Sequence, residues 1–201
     1  MAQQSPVLRL SPAPSASDVE LALVHTSAYL DAVATGTLTP SALREIGFPW
    51  SRQMVERSRR SVGATVAALR GALHGGLAVS PAGGAHRAFS DRGGGFCVFN
   101  DVAVAIRLAQ GSASRASQSR LRVAVIDLHV RQGNGTASIF QDDDTAFALS
   151  LHGERNFPFC KQRSDLDVAL PDGCGDAEYL LALDGALLQL AARHGSPDLV
   201  V

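Results

Sequence analysis

The stretch Leu121-Arg122-Val123-Ala124-Val125-Ile126-Asp127-Leu128-His129-Val130-Arg131-Gln132-Gly133-Asn134-Gly135-Thr136 decides the fold. Five of its first six residues are apolar or small and three are β-branched, the pattern of a strand buried on both faces. Polar side chains follow at Asp127, His129 and Arg131, two residues apart. An extended chain would stack all three on one side. Gly133 and Gly135 then break the strand, and a short helical pattern begins near Thr136. A strand whose C-terminal end carries polar groups before a glycine turn into a helix is where open α/β sheets place their chemistry.

Outward from that stretch the chain alternates helix and strand. Ser17-Asp18-Val19-Glu20 spells a capping box, and a helical pattern with Leu21, Val24, Ala28 and Ala32 inward runs to Gly36. A long helical pattern runs from Ser51 to about His74, carrying Met54, Val55, Val62, Val66 and Leu69 and the basic cluster Arg57, Arg59 and Arg60. Leu77 to Val79 reads as a short strand, and Asn100-Asp101 as the cap of a helix through Leu108. The Ser-rich segment 111–120 reads as a connector. Thr145 to Leu151 is a second strand. Asp176 should cap a helix with Leu180, Leu183, Leu187 and Leu190 inward, and Asp198 to Val201 starts one more strand. Together these predict an α/β fold, a parallel sheet with helices on both faces, for residues 17–201 behind a flexible tail of residues 1–16.

The totals exclude several classes. A net charge of −1 over 201 residues gives no basis for a nucleic-acid partner, and no apolar run is long enough to span a membrane. Three cysteines without Cys-x-x-Cys spacing form neither a disulfide framework nor a thiolate zinc knuckle. No secretory signal opens the chain, so the expected compartment is the cytoplasm. Polar clusters remain at His86-Arg87, at the Asp127/His129/Arg131 ladder, at Asn134 and at Ser150 to His152. A Gly-Gly before a histidine is common in loops, and a buried aspartate can be satisfied by backbone amides alone. The ladder is the strongest of these signals.

Set side by side, these pieces resemble the histone deacetylase family, and its bacterial and class IV-like members in particular. The resemblance is carried by Gly47-Phe48-Pro49-Trp50-Ser51, by Gly83-Gly84-Ala85-His86-Arg87-Ala88-Phe89 and by Gly95-Phe96-Cys97-Val98-Phe99-Asn100-Asp101. Asp127 to Thr136, Ser150-Leu151-His152, Asn156-Phe157-Pro158-Phe159 and Ser164 to Val168 continue it in order. The resemblance implies an arginase-like three-layer α/β/α sandwich, here incomplete at its C-terminus, and hydrolysis of N-acetyl-lysine or small acetylamides by one zinc ion. It aligns His86 with the first of the family's paired histidines and Asp127 with the aspartate behind it. Phe96 and Phe159 fall at the walls of the acyl-lysine channel. Asp127, Ser150 and Leu151 fall at a structural potassium position.

The departures fall on the chemistry. Arg87 stands where the family has its second histidine, His129 where it has an aspartate zinc ligand, and Arg131 where it has a histidine zinc ligand; Ala85 replaces a threonine. A guanidinium has no lone pair to offer and keeps its proton, so Arg131 cannot ligate zinc and Arg87 cannot act as a base. A fixed cation within several Å of a dication opposes it by roughly several kcal/mol at an effective dielectric of about 20. The region that carries the family's last aspartate ligand and its tyrosine has no counterpart before Val201. The first reading is a zinc deacetylase by descent. The alternative is an inactive fragment or pseudoenzyme that at most binds acyl or anionic groups through Arg87 and Arg131, and a third is a remnant with an open edge at Val200 and Val201.

Overall fold

In the computed structural model, residues 12–116 and 121–201 are described. In chain order they form α1 (Asp18–Leu21), α2 (Ser27–Thr35), α3 (Pro40–Ile46), α4 (Arg52–Gly75), α5 (Asp101–Ala116), β1 (Val123–Asp127), α6 (Asn134–Phe140), β2 (Ala146–Gly153), β3 (Leu166–Leu170), α7 (Asp176–His194) and β4 (Leu199–Val200). The strands make one parallel sheet in the order β3-β2-β1-β4. β2 and β3 thus build out on one side of β1 and β4 on the other, which puts a topological switch point beside β1 at the C-terminal edge of the sheet.

Alternation along β1 explains the layers. Val123 and Val125 pack with Ala103 and Ile106 of α5, Phe140 of α6 and Ala146. Ala124 faces the other way, with Phe147, Leu149 and Leu151 of β2 and Ala186 and Leu190 of α7. A strand covered on both faces must be apolar on both, as the sequence of β1 is. The far side of α5, with Val104, Ala105 and Ala109, joins Leu21, Tyr29, Val33, Ile46, Met54, Val62 and Val66 in a second core under α1 to α4. Each fully buried Ile, Leu or Phe there contributes about 1.5–3 kcal/mol.

The capping box at Ser17 and Glu20 forms as read, and α4 starts at the Ser51 cap and stops at Gly76 in the left-handed conformation (φ +84°). Other expectations are corrected. The first helical pattern is broken between α1 and α2, and Ala28 is exposed; Tyr29, Leu30 and Val33 turn inward instead. Leu77 and Val79 form no strand and are 84% and 81% exposed. α5 runs into the Ser-rich segment as far as Ala116; at its middle Gln110 donates to Leu121 O and Thr145 Oγ1, and Arg107 pairs with Asp143. Residues 1–11 of the expected tail and 117–120 of the expected connector lie outside the described residues. α6 starts at Asn134 rather than Thr136, and β3 is a strand that the sequence reading did not name. Gly175, not Asp176, caps α7, and Leu180 and Leu187 are exposed while Ala186, Leu190 and His194 are buried.

Candidate active site

The polar ladder does not form. β1 ends at Asp127, and the chain folds back so that the His129 backbone N–H and Nδ1–H both donate to Asp127 Oδ1, at 3.0 and 2.9 Å. A carboxylate accepting from the amide two residues on is a local turn, and it competes with extension of the strand. Arg131 therefore lies beyond the end of the strand. It is exposed, and among the described residues it makes no hydrogen bond or ion pair with His86, Asp127 or His129.

His86 completes the cluster from the other side. It is 6% exposed, and its Nδ1 donates to Asp127 Oδ2 at 2.5 Å. Its ring meets that of His129 at 4.5 Å between centroids and 63° between planes. Burial pushes the Asp127 carboxyl up, but the hydrogen bond and charge of His86, with the two bonds from His129, hold it below the usual carboxylate range. Because the carboxylate only accepts, each imidazole spends its Nδ1–H on Asp127 and keeps Nε2 as its remaining nitrogen. Potential ligand atoms of His86, Asp127 and His129 lie within 4.8 Å of one another, the one such group among the described residues. A cavity of about 330 Å³ opens beside them, bounded also by Val125, Leu128 and Val201.

Buried polar groups that the sequence did not mark hold the His86 loop. Asp101, fully buried at the start of α5, accepts from Gly84 N–H at 3.0 Å, Ala85 N–H at 2.7 Å, Thr65 Oγ1 at 2.7 Å and Val102 N–H at 3.0 Å. Burial pushes its carboxyl up against those four donors. Thr136 N–H donates to His86 O at 2.9 Å, and Asn100 Nδ2 bridges Ala88 O and Thr136 Oγ1. Gly133 passes so close that a Cβ there would stand 2.2 Å from Asp127 Oδ2. Gln132, also fully buried, donates to Gln162 O at 2.6 Å and Asp167 Oδ1 at 2.8 Å and accepts from Gln162 N–H at 2.9 Å. The sequence signal for Asn100 and Asp101 was only that of a helix cap, and Gln132 gave none.

The other expected residues are scattered around this centre. Among the described residues, Arg87 is partly buried with no hydrogen-bond partner at Nε or Nη1, its guanidinium packing under Gly95, and Asn134 opens α6 with a buried Oδ1 that finds no partner. Ser150 pairs with Asp127 in the β1–β2 register, and its Oγ lies 3.0 Å from His152 Nδ1. Burial holds the His152 imidazole below its ordinary pKa, and Leu151 packs in the core against α7. Phe96 is 55% exposed and packs on Phe48 at 5.3 Å; Phe159 is 88% exposed beside Phe157. No ring contact joins Phe96 to Phe159 among the described residues.

Comparison with known proteins gives the fold and the cluster a family. The pattern of the histone deacetylase domain matches residues 1–201. An uncharacterised protein of Picosynechococcus is 48% identical over 182 residues, covering 90% of this chain and 58% of its own length. The histone deacetylase-like amidohydrolase of Pseudomonas aeruginosa is 32% identical over 211 residues, 96% of this chain and 53% of that protein. The crystal structure of a histone deacetylase homologue from Aquifex aeolicus superposes with a TM-score of 0.78 at 30% identity, over 94% of this chain and 55% of that one. The chain spans about half the length of the curated relatives it matches. Matched along its whole length and in its fold, the chain belongs to the histone deacetylase family.

Proposed function

We propose that this chain is a non-hydrolytic member of the deacetylase family, holding no stoichiometric zinc and leaving N-acetyl-lysine and small acetylamides uncleaved. The observation that carries the reading is the engagement of Asp127. Both of its oxygens already accept from imidazole Nδ1–H groups, at 2.5 and 2.9 Å. Catalytic zinc takes three protein ligands at about 2.0–2.2 Å for nitrogen and oxygen donors. Each Asp127 oxygen keeps a lone pair, but an imidazole that gives its Nδ1–H to Asp127 directs its Nε2 lone pair away from that carboxylate, so one ion cannot take Asp127 and both Nε2 atoms together. Without Asp127, two Nε2 atoms remain; Arg131 stands at the position aligned with the family's histidine ligand, and Arg87 at that of its second paired histidine. The residues present do not fit the ion.

A zinc deacetylase remains the second reading, favoured by the one His/Asp/His group within 4.8 Å. Zinc per chain after dialysis, beside a fluorogenic acetyl-lysine assay, separates the two. We expect substoichiometric zinc and no turnover; one tightly held zinc with chelator-sensitive turnover overturns the proposal. Thermal shifts with acetyl-lysine and acetate separate a binder from a remnant, since a remnant shows no shift or no cooperative melt. Potassium at Asp127, Ser150 and Leu151 belongs to the same proposal, supported by the pairing of Asp127 with Ser150, and is tested by melting in potassium against choline chloride. No helix among the described residues is long and apolar enough to cross a membrane. The three free cysteines support placement in the cytoplasm.

A further inference from the structure

Arg87 and Arg131 were the cations expected to serve an anionic ligand, and neither is placed for it. Arg87 lies under the 93–97 loop and Arg131 out in solvent. Another arginine is better placed. A second cavity, of about 290 Å³, has Phe96, Val98, Phe99 and Ala85 on its apolar side and Arg57 and Arg60 on its polar side. It shares no lining residue with the cavity at His86 and Asp127. The 82–86 loop runs between the two, giving Ala82 and Ala85 to one and Gly84 and His86 to the other.

Within the basic cluster of α4, two arginines are committed. Arg59 binds Asp18 and Ala16 O, and Arg60 binds Glu56 and Ala13 O. Arg57 makes no hydrogen bond or ion pair among the described residues; its guanidinium is held 4.9 Å over the ring of Phe48. Phe48 in turn packs on Phe96, so one aromatic pair positions both the cation and the exposed ring. Phe96 takes φ +70°, a left-handed conformation that a bulky aromatic rarely adopts. It is fixed there by Phe96 N–H donating to Ile46 O at 2.7 Å and Gly95 N–H donating to Glu45 O at 2.8 Å. A strained backbone that presents an aromatic face beside an uncommitted guanidinium is a feature of ligand clamps.

We infer that this crevice is a binding site for a small aromatic monocarboxylate. The ring lies against Phe96 and the carboxylate takes the free donors of Arg57. The volume suits one or two rings and is below the usual range for drug-sized ligands. A planar guanidinium with open donors favours a carboxylate that it can grip with two parallel bonds.

The test is a fluorescence titration of the whole chain with 2-naphthoate, against its uncharged isostere 2-naphthamide. We expect the acid to bind about tenfold more tightly than the amide. Arg57→Gln, on an exposed helical face, should melt like the parent and lose that preference, while Arg52→Gln, on the same helix but outside the crevice lining, keeps it. Equal affinity for acid and amide, or no saturable binding at millimolar probe, overturns the inference. So does binding that survives Arg57→Gln and disappears in His129→Ala, which would place the ligand at the histidine cluster. The result is independent of metal content: a zinc-loaded chain with an Arg57-dependent preference refutes the non-hydrolytic reading and leaves this one standing.

Discussion

Replacing Gly133 by alanine places a methyl group into the hydrogen bond at the centre of the cluster. The new Cβ would stand 2.2 Å from Asp127 Oδ2 and 2.9 Å from His86 Nδ1, inside any contact that real side chains make. The 2.5 Å bond between those two atoms must open by a sizeable fraction of an ångström, and Asp127 is too enclosed to find water instead. A hydrogen bond to a charged group contributes about 1.5–3 kcal/mol. Alanine also stiffens the unfolded chain, which offsets about 0.4–1 kcal/mol of that loss. The net cost should be about 1–2 kcal/mol, or roughly 2–8 °C in melting temperature for a chain of this size. Gly185→Ala is the matched control, since it lies inside α7 with nothing within 4 Å of its would-be Cβ. It should stabilise by about 0.5–1 kcal/mol. Urea unfolding of the two variants beside the parent decides the matter. Gly133→Ala melting with the parent would refute the claim that the His86–Asp127 bond depends on that close approach, and so would equal losses in both variants.

Acid should weaken the fold well before the carboxylates protonate. His25 is 3% exposed and its Nε2 accepts from Asn100 N–H, which requires a neutral ring; burial lowers its pKa to about 4. The folded pKa lies below the unfolded value, so this contribution is complete above about pH 6.5 and falls by about 1.4 kcal/mol per unit toward pH 4. His25→Phe should flatten the pH dependence of urea midpoints over that window; an equally sloped variant would sink the assignment. Asp127, with its depressed folded pKa, adds a separate loss at lower pH, below the unfolded value of about 3.9. Asp101→Ala strands four buried donors and should cost about 3–5 kcal/mol, read by chemical unfolding. A cost under about 1 kcal/mol would mean that the His86 loop is held by something else. Gln132→Leu should speed hydrogen exchange at the Gln162 amide by about tenfold or more, and unchanged exchange there would contradict the role given to Gln132.

What could be read from the chain followed how local its physics was. β1 and β2 were legible because burial on both faces leaves nearly unbroken apolar runs, and α4 because Ser51 and Gly76 mark its ends. β3 was hidden by Asp167, whose carboxylate is spoken for by Gln132 and the Ser164 amide, contacts no short window contains. In α7 Leu190 is buried and Leu183 packs on the core as read, but Leu180 and Leu187 misled because leucine was taken as a sign of burial: they are 57% and 37% exposed, while Ala186 and His194 face inward. The site was legible as a list and illegible as a shape. Spacing by two placed Asp127, His129 and Arg131 on one side, but a carboxylate that captures the amide two residues on ends the strand at Asp127 and leaves Arg131 exposed beyond it. Asp101 looked like a cap because its long-range partners at Gly84 and Ala85 are backbone groups, which no residue type announces.

The loop that carries His86 is tied at three separate places, by Asp101 beneath Gly84 and Ala85, by Thr136 at its carbonyl and by Asp127 at its ring. None of these ties is made by residue 131, and His129 meets the frame only through Asp127 Oδ1, so exchange of Arg131 leaves all three in place. In evolutionary terms the mount is separable from its fittings: what the ties demand is Asp101, Asp127 and Thr136, and they place no demand on the side chain of Arg131.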